Sequence, residues 1–260
     1  MNGRDPLFSL DGKTALVTGG GSGIGAMIAS ALVARGVRTY VTGRDAARIA
    51  DFAAELSAGG GACIGLAADF SDTNGPTVLS EQFSALENRL HILVNNAGTN
   101  ADGALASLTT EAWDDVMGVN LRAPVFLVRA LLPLLKAAAA PGDPARVINV
   151  GSIGGLHVPG WEAHPYGASK AALHHVTRSL AKALGKDNVT VNAIAPGPFP
   201  SKMHDTASDA TQKSIATYIP LGRAGEAEDA AGAAIFLASR AGAYVNGHVL
   251  PLDGGYIAAL

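Results

Sequence analysis

Thr18-Gly-Gly-Gly-Ser-Gly-Ile-Gly25 is the stretch that decides the fold. It follows a β-type run at 14–18 and leads into Ile24, Ile28 and Leu32, which recur at helical spacing. A glycine-rich turn between a strand and a helix lets a pyrophosphate approach the backbone N–H groups at the start of the helix. The sequence therefore predicts a dinucleotide-binding strand–turn–helix unit near its beginning.

The rest of the chain continues this alternation of short apolar runs and helical patterns. Runs that are apolar on both faces are typical of parallel strands covered by helices on both sides. We expect one α/β domain over 1–260, a Rossmann-type doubly wound fold with a parallel seven-stranded sheet. An irregular, partly apolar stretch at about 196–220 is interpreted as a substrate lid. The predicted strands are 14–18, 38–42, 63–67, 92–95, 146–150, 189–194 and 248–252.

Composition narrows the classes of function. Of the 260 residues 48% are hydrophobic and 16% charged, which excludes a disordered chain. The 19 basic and 22 acidic residues are mixed along the chain, so no basic block indicates a nucleic-acid or membrane partner. Cys63 is the single cysteine, and no His/Asp/Glu set has metal-ligand spacing. We expect no metal site, seven solvated histidines and a reducing, cytoplasmic setting.

Membrane and export signals are not expected either. The first twelve residues are polar, unlike a signal peptide. The most apolar stretch, 125–135, is interrupted by Arg129 and Pro133 and is shorter than the ~20 residues that a span needs.

The end of the second strand indicates the cofactor. NAD enzymes usually carry an acidic residue there, which binds the ribose 2′-OH. Here Gly43 has no carboxylate, and Arg44 offers a planar cationic fork to a 2′-phosphate. The sequence therefore favours NADP(H) over NAD(H). Asp45 is expected to cap the following helix, and Asp69 either meets the adenine edge or caps the turn into Ser71.

Two further groups of residues follow predicted strands. Asn95-Asn-Ala-Gly98 would offer amides and bare backbone to a ribose at the carboxyl edge of the sheet. Ser152 follows the fifth strand, and Tyr166 and Lys170, four apart, share one helical face.

In their order along the chain these motifs resemble the short-chain dehydrogenase/reductase family over about residues 10–256. The shared motifs are Thr18-Gly-x3-Gly-x-Gly, Asn95-Asn-Ala-Gly, Asn120, Ser152, Tyr166-x3-Lys170 and Pro196-Gly197. The resemblance implies a catalytic tetrad of Asn120, Ser152, Tyr166 and Lys170, and a homotetramer or sometimes a dimer. Within the family, the chain is similar to 3-oxoacyl reductases.

The resemblance also implies the cofactor contacts. Ser201 would lie near the nicotinamide carboxamide, and Ser22 stands where many NADP-preferring members carry a basic residue. The implied set is Gly19, Gly21, Ser22, Gly23, Ile24, Gly25, Arg44, Asp69, Phe70, Asn96, Ala97, Gly98, Tyr166, Lys170, Pro196, Gly197 and Ser201.

Physical chemistry supports the tetrad independently. A Lys170 ammonium about 4 Å from the Tyr166 oxygen, at an effective dielectric of ~20, would favour tyrosinate by on the order of 4 kcal/mol. We therefore expect a Tyr166 pKa near neutrality, where acid–base exchange is efficient. Ser152 can stabilise negative charge developing on a carbonyl oxygen, and Asn120 is expected to anchor a proton-relay water.

The expected substrate is small and hydrophobic. Ser152, Leu156, Trp161, Phe199 and Met203 would form a largely apolar surface. This favours reduction of a 3-oxoacyl thioester or related hydrophobic 3-oxo compound. The segment at 137–143, just before the fifth strand, has no basic residue where similar carrier-dependent reductases often carry them, and the net charge is −3. Both features argue against docking of an acidic acyl carrier protein. A sugar or polyol dehydrogenase of gluconate type is the alternative, and a non-catalytic NADP-sensing regulator is a remote one.

Overall fold

A seven-stranded parallel sheet forms the centre of the molecule, as predicted. The computed structural model describes residues 5–158, 160–200 and 208–260. The strand order is β3-β2-β1-β4-β5-β6-β7, and every neighbouring pair is parallel. The strands are β1 (Thr14–Val17), β2 (Arg38–Gly43), β3 (Cys63–Ala67), β4 (Ile92–Asn95), β5 (Ala145–Val150), β6 (Val189–Pro196) and β7 (Val249–Leu252).

Helices cover both faces of this sheet. Because side chains alternate across a strand, Ala15 and Val17 of β1 enter one core cluster and Leu16 enters the other. The helices are α1 (Gly23–Ala34), α2 (Ala46–Ala58), α3 (Gly75–Ser84), α4 (Thr110–Met117), α5 (Ala123–Ala138), α6 (His164–Leu184), α7 (Asp209–Tyr218) and α8 (Ala227–Ala238).

The strand order creates the crevice that a ligand can occupy. The chain moves outward from β1 to β3 and then returns to place β4 on the other side of β1. Connections after β1 and β4 therefore leave in opposite directions. A crevice opens at the carboxyl ends of these two strands, which is where ligands bind in open α/β sheets.

Two regions differ from expectation. The sequence has two separate helical patterns, at about 110–119 and 122–139, which predict two helices. In the structure they form one helical run, because a π-helical turn at Gly118–Arg122 joins α4 to α5. By length and composition alone this run, Thr110–Ala138, could cross a membrane. One face of its second half lies in the protein core, where Leu127, Leu131 and Leu135 are buried.

The second difference lies in the stretch expected to be an irregular lid. Its later half contains α7. The Ser208 hydroxyl caps this helix by accepting a hydrogen bond from the Thr211 N–H at 3.4 Å. Such a cap satisfies a free N–H of the first turn and favours a helix here over irregular structure.

Candidate active site

The glycine-rich loop between β1 and α1 has the conformation that a phosphate-binding turn requires. Gly19 and Gly23 have φ of 61° and 53°, the left-handed region that favours glycine. A Cβ on Gly25 would collide with the Asn96 carboxamide. Ser22 is the N-cap residue of α1, but its side chain makes no capping bond. A side chain at Gly19, Gly23 or Gly25 would therefore be strained or would clash. This leaves the backbone N–H groups of Gly23 and Ile24, at the start of α1, beside a loop with little side-chain bulk.

Asn96 braces this loop. Its Nδ2 donates to the carbonyl oxygens of Thr18 and Gly19 at 2.9 and 3.0 Å. The Thr18 hydroxyl oxygen accepts from the backbone N–H groups of Asn96 and Ala97, both at 3.0 Å. Sequence reasoning placed Thr18 in the motif but missed this bracing role, which depends on the adjacency of β1 and β4.

The side-chain N–H groups of Asn95 and Asn96 donate to other parts of the protein, which is not the use that the sequence predicts for these amides. Asn95 Nδ2 donates to Asn149 Oδ1 at 2.8 Å, below the site, and Asn96 holds the glycine loop. What remains for a ligand is the backbone of Ala97 and Gly98.

The end of β2 leaves Arg44 exposed, just after Gly43, as binding of a 2′-phosphate by its guanidinium requires. Asp45 caps α2, as expected, by accepting from the Arg48 N–H at 3.1 Å. Of the two alternatives for Asp69, the structure shows the cap on the turn into Ser71. The Asp69 carboxylate accepts from the Ser71 N–H at 3.0 Å and from the Ser71 hydroxyl at 2.8 Å, and these bonds lower the pKa of Asp69.

Two residues of the implied cofactor set, Phe70 and Gly21, present little or no side-chain surface to a ligand. Phe70 is 7% exposed and packs in the core, so that it could contact a ligand through its backbone. Gly21 lies against Ile49, whose Cδ1 would be 2.8 Å from an added Cβ.

Tyr166 and Lys170 share one face of α6, as their spacing predicts, and lie beside the end of β5. Ser152 caps a 3-10 turn at Ile153–Gly155, its Oγ accepting from the Gly154 N–H at 3.0 Å. The Ser152 hydroxyl lies close enough to the Tyr166 hydroxyl to lower its pKa. Lys170 Nζ lies 5.6 Å from the Tyr166 ring centre.

The expected pKa near neutrality for Tyr166 is wrong. Burial of its hydroxyl raises the pKa above the ordinary value, although the nearby Ser152 hydroxyl acts against this. Burial also lowers the pKa of Lys170 to about 8. The Lys170 ammonium donates to the Val150 carbonyl oxygen at 2.8 Å. Burial disfavours the charged form of each group, and it is the largest cause of both pKa shifts.

Asn120 lies in the π-helical turn and is fully buried. Its Oδ1 accepts from the Thr99 N–H at 2.8 Å, and its Nδ2 donates to the Thr99 carbonyl at 2.9 Å and to Ser169 Oγ at 3.1 Å. These bonds commit the carboxamide to the protein, so the expectation that this side chain anchors a relay water is not supported. Ser169 was missed, because its neighbour Lys170 carried the motif.

Gly98 joins the two halves of the site. A Cβ there would lie 3.3 Å from Asn120 Oδ1 and 3.7 Å from Lys170 Nζ. The glycine-lined crevice therefore runs from the start of α1 to the tetrad. The exposed Arg44 directly follows β2, the strand next to β1. These features fit a dinucleotide with an additional phosphate: N–H donors for the pyrophosphate, a cation for the 2′-phosphate, and the Lys170 ammonium for a ribose.

Pro196 and Gly197 lie at the end of β6. The Gly197 N–H donates to the Leu252 carbonyl at 2.9 Å, and an added Cβ would meet the Asp253 backbone at 2.9 Å. Ser201 and Met203 lie outside the described residues.

The expected substrate surface is only partly found. Leu156 and Trp161 are 39% and 51% exposed beside the Ser152 turn. Phe199 is 3% exposed, and its ring packs over Gly225. The expectation for Phe199 is therefore corrected: no Cβ separates its ring from the Gly225 backbone, and the ring enters the core instead of the crevice.

Comparison with known proteins agrees with this architecture. A family model described as Enoyl-(Acyl carrier protein) reductase matches residues 19–257. The chain is 46% identical over 253 residues to the rhamnolipids biosynthesis 3-oxoacyl-[acyl-carrier-protein] reductase of Pseudomonas aeruginosa, covering 96% of this chain and 98% of that protein. It is 35% identical over 257 residues to a 2-dehydro-3-deoxy-D-gluconate 5-dehydrogenase of Dickeya dadantii, covering 96% and 98%.

A solved structure shares the fold in detail. The Pseudomonas aeruginosa RhlG/NADP active-site complex superposes with a TM-score of 0.93 at 45% identity, covering 97% of this chain and 99% of that one. The match extends over nearly the whole length of both chains. The chain therefore belongs to the short-chain dehydrogenase/reductase family of oxidoreductases.

Proposed function

We propose that the chain is an NADP(H)-dependent reductase of 3-oxoacyl thioesters or related hydrophobic 3-oxo compounds. The observation that carries this is the convergence of Ser152, Tyr166 and Lys170 at the end of the crevice lined by Gly98. When bound, the nicotinamide would supply the hydride. A non-catalytic sensor of NADP would have no need of these three side chains together.

In this proposal Tyr166 is the general acid. Its raised pKa keeps the hydroxyl protonated at neutral pH, as a proton donor in the reductive direction must be. The O–H would donate its proton to the substrate oxygen as the carbonyl carbon becomes that of a secondary alcohol. Ser152, whose hydroxyl lies close to that of Tyr166, would donate a second hydrogen bond to the same substrate oxygen and stabilise its developing charge.

Lys170 and Asn120 would support this chemistry without contacting the reacting oxygen. The buried Lys170 ammonium would hold the ribose and orient the nicotinamide. Asn120 fixes the loop at Thr99 against α6 through Ser169. Asn120 is thus proposed as the tetrad member that maintains geometry.

The substrate class rests on the wall of the crevice and on the relatives. Leu156 and Trp161 expose apolar surface next to Ser152, and Val158 between them is 90% exposed. An acyl chain can cover such a surface, whereas a free sugar needs several fixed polar partners. The name of the Pseudomonas aeruginosa reductase points to the same class. We propose that the stretch at about 196–220 closes over this wall as a lid.

A chain-length series tests the substrate class. We would measure kcat/KM with NADPH for 3-oxoacyl-CoA substrates from about four to twelve carbons, with one chain length repeated on acyl carrier protein. Each methylene buried contributes up to ~0.8 kcal/mol, about fourfold in efficiency. Flat efficiency together with good activity on gluconate-like polyols would instead support a sugar dehydrogenase, the class named for the Dickeya dadantii relative. A chain that binds NADPH and turns over none of these substrates would support the sensor.

We also propose that residues 1–260 act as one domain within a cytoplasmic homotetramer. The support is the family resemblance and the exposed apolar residues near the C-terminus, where Tyr244 is fully exposed and Leu260 is 70% exposed. Light scattering coupled to gel filtration measures the oligomeric state, and a monomer or dimer would contradict the tetramer.

A further inference from the structure

His174 occupies an unusual position for a histidine. It lies on α6 four residues after Lys170 and eight after Tyr166, so the three share one face of the helix. It is 2% exposed, although the sequence predicts a solvated histidine. The next residue, His175, is exposed. The tetrad does not account for a buried imidazole at this place.

The imidazole lies directly beneath the turn that carries Ser152. Its Nε2 accepts a long hydrogen bond from the Ser152 backbone N–H at 3.5 Å. A Cβ on Gly151 would collide with Nε2, and one on Gly155 would lie 2.9 Å from Cε1. The turn therefore packs against the ring on both sides of Ser152, through two residues without side chains.

The ring is held neutral in one tautomer. Because an N–H donates to Nε2, the single proton of the neutral ring lies on Nδ1. Within the described residues Nδ1 has no hydrogen-bond partner. Burial lowers the pKa of His174 to about 4, and the charges of Lys170 and Arg178 add to this, while the backbone of Gly155 acts in the opposite direction. A neutral ring leaves Nε2 free to accept at neutral pH.

We infer that His174 is a positioning residue for Ser152: its Nε2 holds the Ser152 N–H and fixes the turn that aims the Ser152 hydroxyl at the substrate oxygen. This inference rests on the proposed role of Ser152. Helix α6, which carries Tyr166 and Lys170, would in this way also fix the position of Ser152 relative to them. A catalytic group misplaced by about 1 Å can cost on the order of a hundredfold in rate.

Three variants test the inference. His174→Leu fills the space but cannot accept a hydrogen bond, His174→Gln can bring an amide oxygen to the position of Nε2, and His175→Gln is the matched surface control. Two measurements are made on each: kcat and KM with NADPH and a 3-oxo substrate, and hydrogen–deuterium exchange of the peptide that spans 150–156. The exchange measurement does not depend on turnover.

We expect His174→Leu to lower kcat by about 10- to 100-fold, with NADPH affinity unchanged and faster exchange at 150–156. His174→Gln should keep kcat within about threefold of wild type, and His175→Gln should match wild type. A His174→Leu protein with wild-type kcat and exchange would overturn the inference.

Two further outcomes are covered. If His174→Leu does not fold, His174→Asn replaces it, because its amide is polar but too short to reach the Ser152 N–H; equal kcat and exchange for Asn and Gln would overturn the inference. If wild type turns over no 3-oxo substrate, the proposed function fails, while the exchange data still decide whether His174 holds the turn.

Discussion

Lys170 Nζ donates a hydrogen bond to the carbonyl oxygen of Val150 at 2.8 Å. The bond ties the middle of α6 to the end of β5 and places a buried ammonium behind the proposed proton donor. Lys170 is 4% exposed, and this burial lowers its pKa from 10.5 to about 8. The same burial that shapes the site therefore makes the charge of Lys170 sensitive to mildly alkaline pH.

The contribution of Lys170 to the free energy of unfolding, taken as the difference between wild type and Lys170→Met, should rise between about pH 8 and 10. In this window the unfolded chain keeps the Lys170 proton, whereas the folded protein has begun to release it. Stability increases with pH wherever the unfolded state binds more protons, by on the order of 1–3 kcal/mol here. Below pH 8 both states hold the proton and the effect is absent. Urea unfolding of wild type and Lys170→Met at each pH measures this difference. The buried Cys63 thiol, whose pKa is raised to about 11, acts in the opposite direction above about pH 9 in both proteins and cancels in the comparison. An equal pH dependence of the two proteins would contradict the assignment.

Tyr166→Phe should lower kcat at least about a thousandfold, since the variant loses the proton donor while keeping the ring. NADPH affinity, followed by fluorescence titration, should change little. Tyr218→Phe removes a hydroxyl from an exposed tyrosine of the lid and serves as the control. Retention of a tenth of wild-type kcat by Tyr166→Phe would mean that another group supplies the proton.

Arg44→Ala should weaken NADPH binding about 10- to 100-fold and leave NADH binding nearly unchanged. Only NADPH has the 2′-phosphate that pairs with the guanidinium, and such a charge-assisted bond contributes roughly 1.5–3 kcal/mol. Arg48→Ala, which removes another exposed arginine one turn along α2, is the matched control. Equal losses for the two cofactors, or a wild-type preference for NADH, would refute the NADP(H) proposal.

The sheet and the Tyr166–Lys170 pair were predictable because each depends on local periodicity. A short apolar run such as the one at 146–150, which follows turn-forming residues, favours a buried strand, and residues four apart on a helix must be neighbours. The bounds of β1, β2 and β3 differ from the predicted runs by one residue or none.

Contacts between distant segments were not predictable. Asn96 braces Thr18 because β1 and β4 are adjacent, and the strand order cannot be read from either motif. The inward turn of Phe199 depends on Gly225. His174 and His175 are adjacent residues of the same type, so the sequence does not show which is buried. The orientation of α6 against the rest of the protein decides it.

Asn96→Asp should raise the Kd of NADPH by at least about tenfold and lower the melting temperature. The substitution keeps the size of the side chain but replaces Nδ2, the donor to the Thr18 and Gly19 carbonyls, with a carboxylate oxygen. Two hydrogen bonds, each contributing roughly 0.5–1.5 kcal/mol, would become repulsive contacts, and a negative charge would enter a loop that we propose binds phosphates. Asn74→Asp controls for the added charge, because Asn74 is exposed and its side chain makes no capping bond at α3. Titration with NADPH and thermal unfolding measure both effects, and an Asn96→Asp protein with wild-type affinity would show that the glycine loop does not depend on this brace.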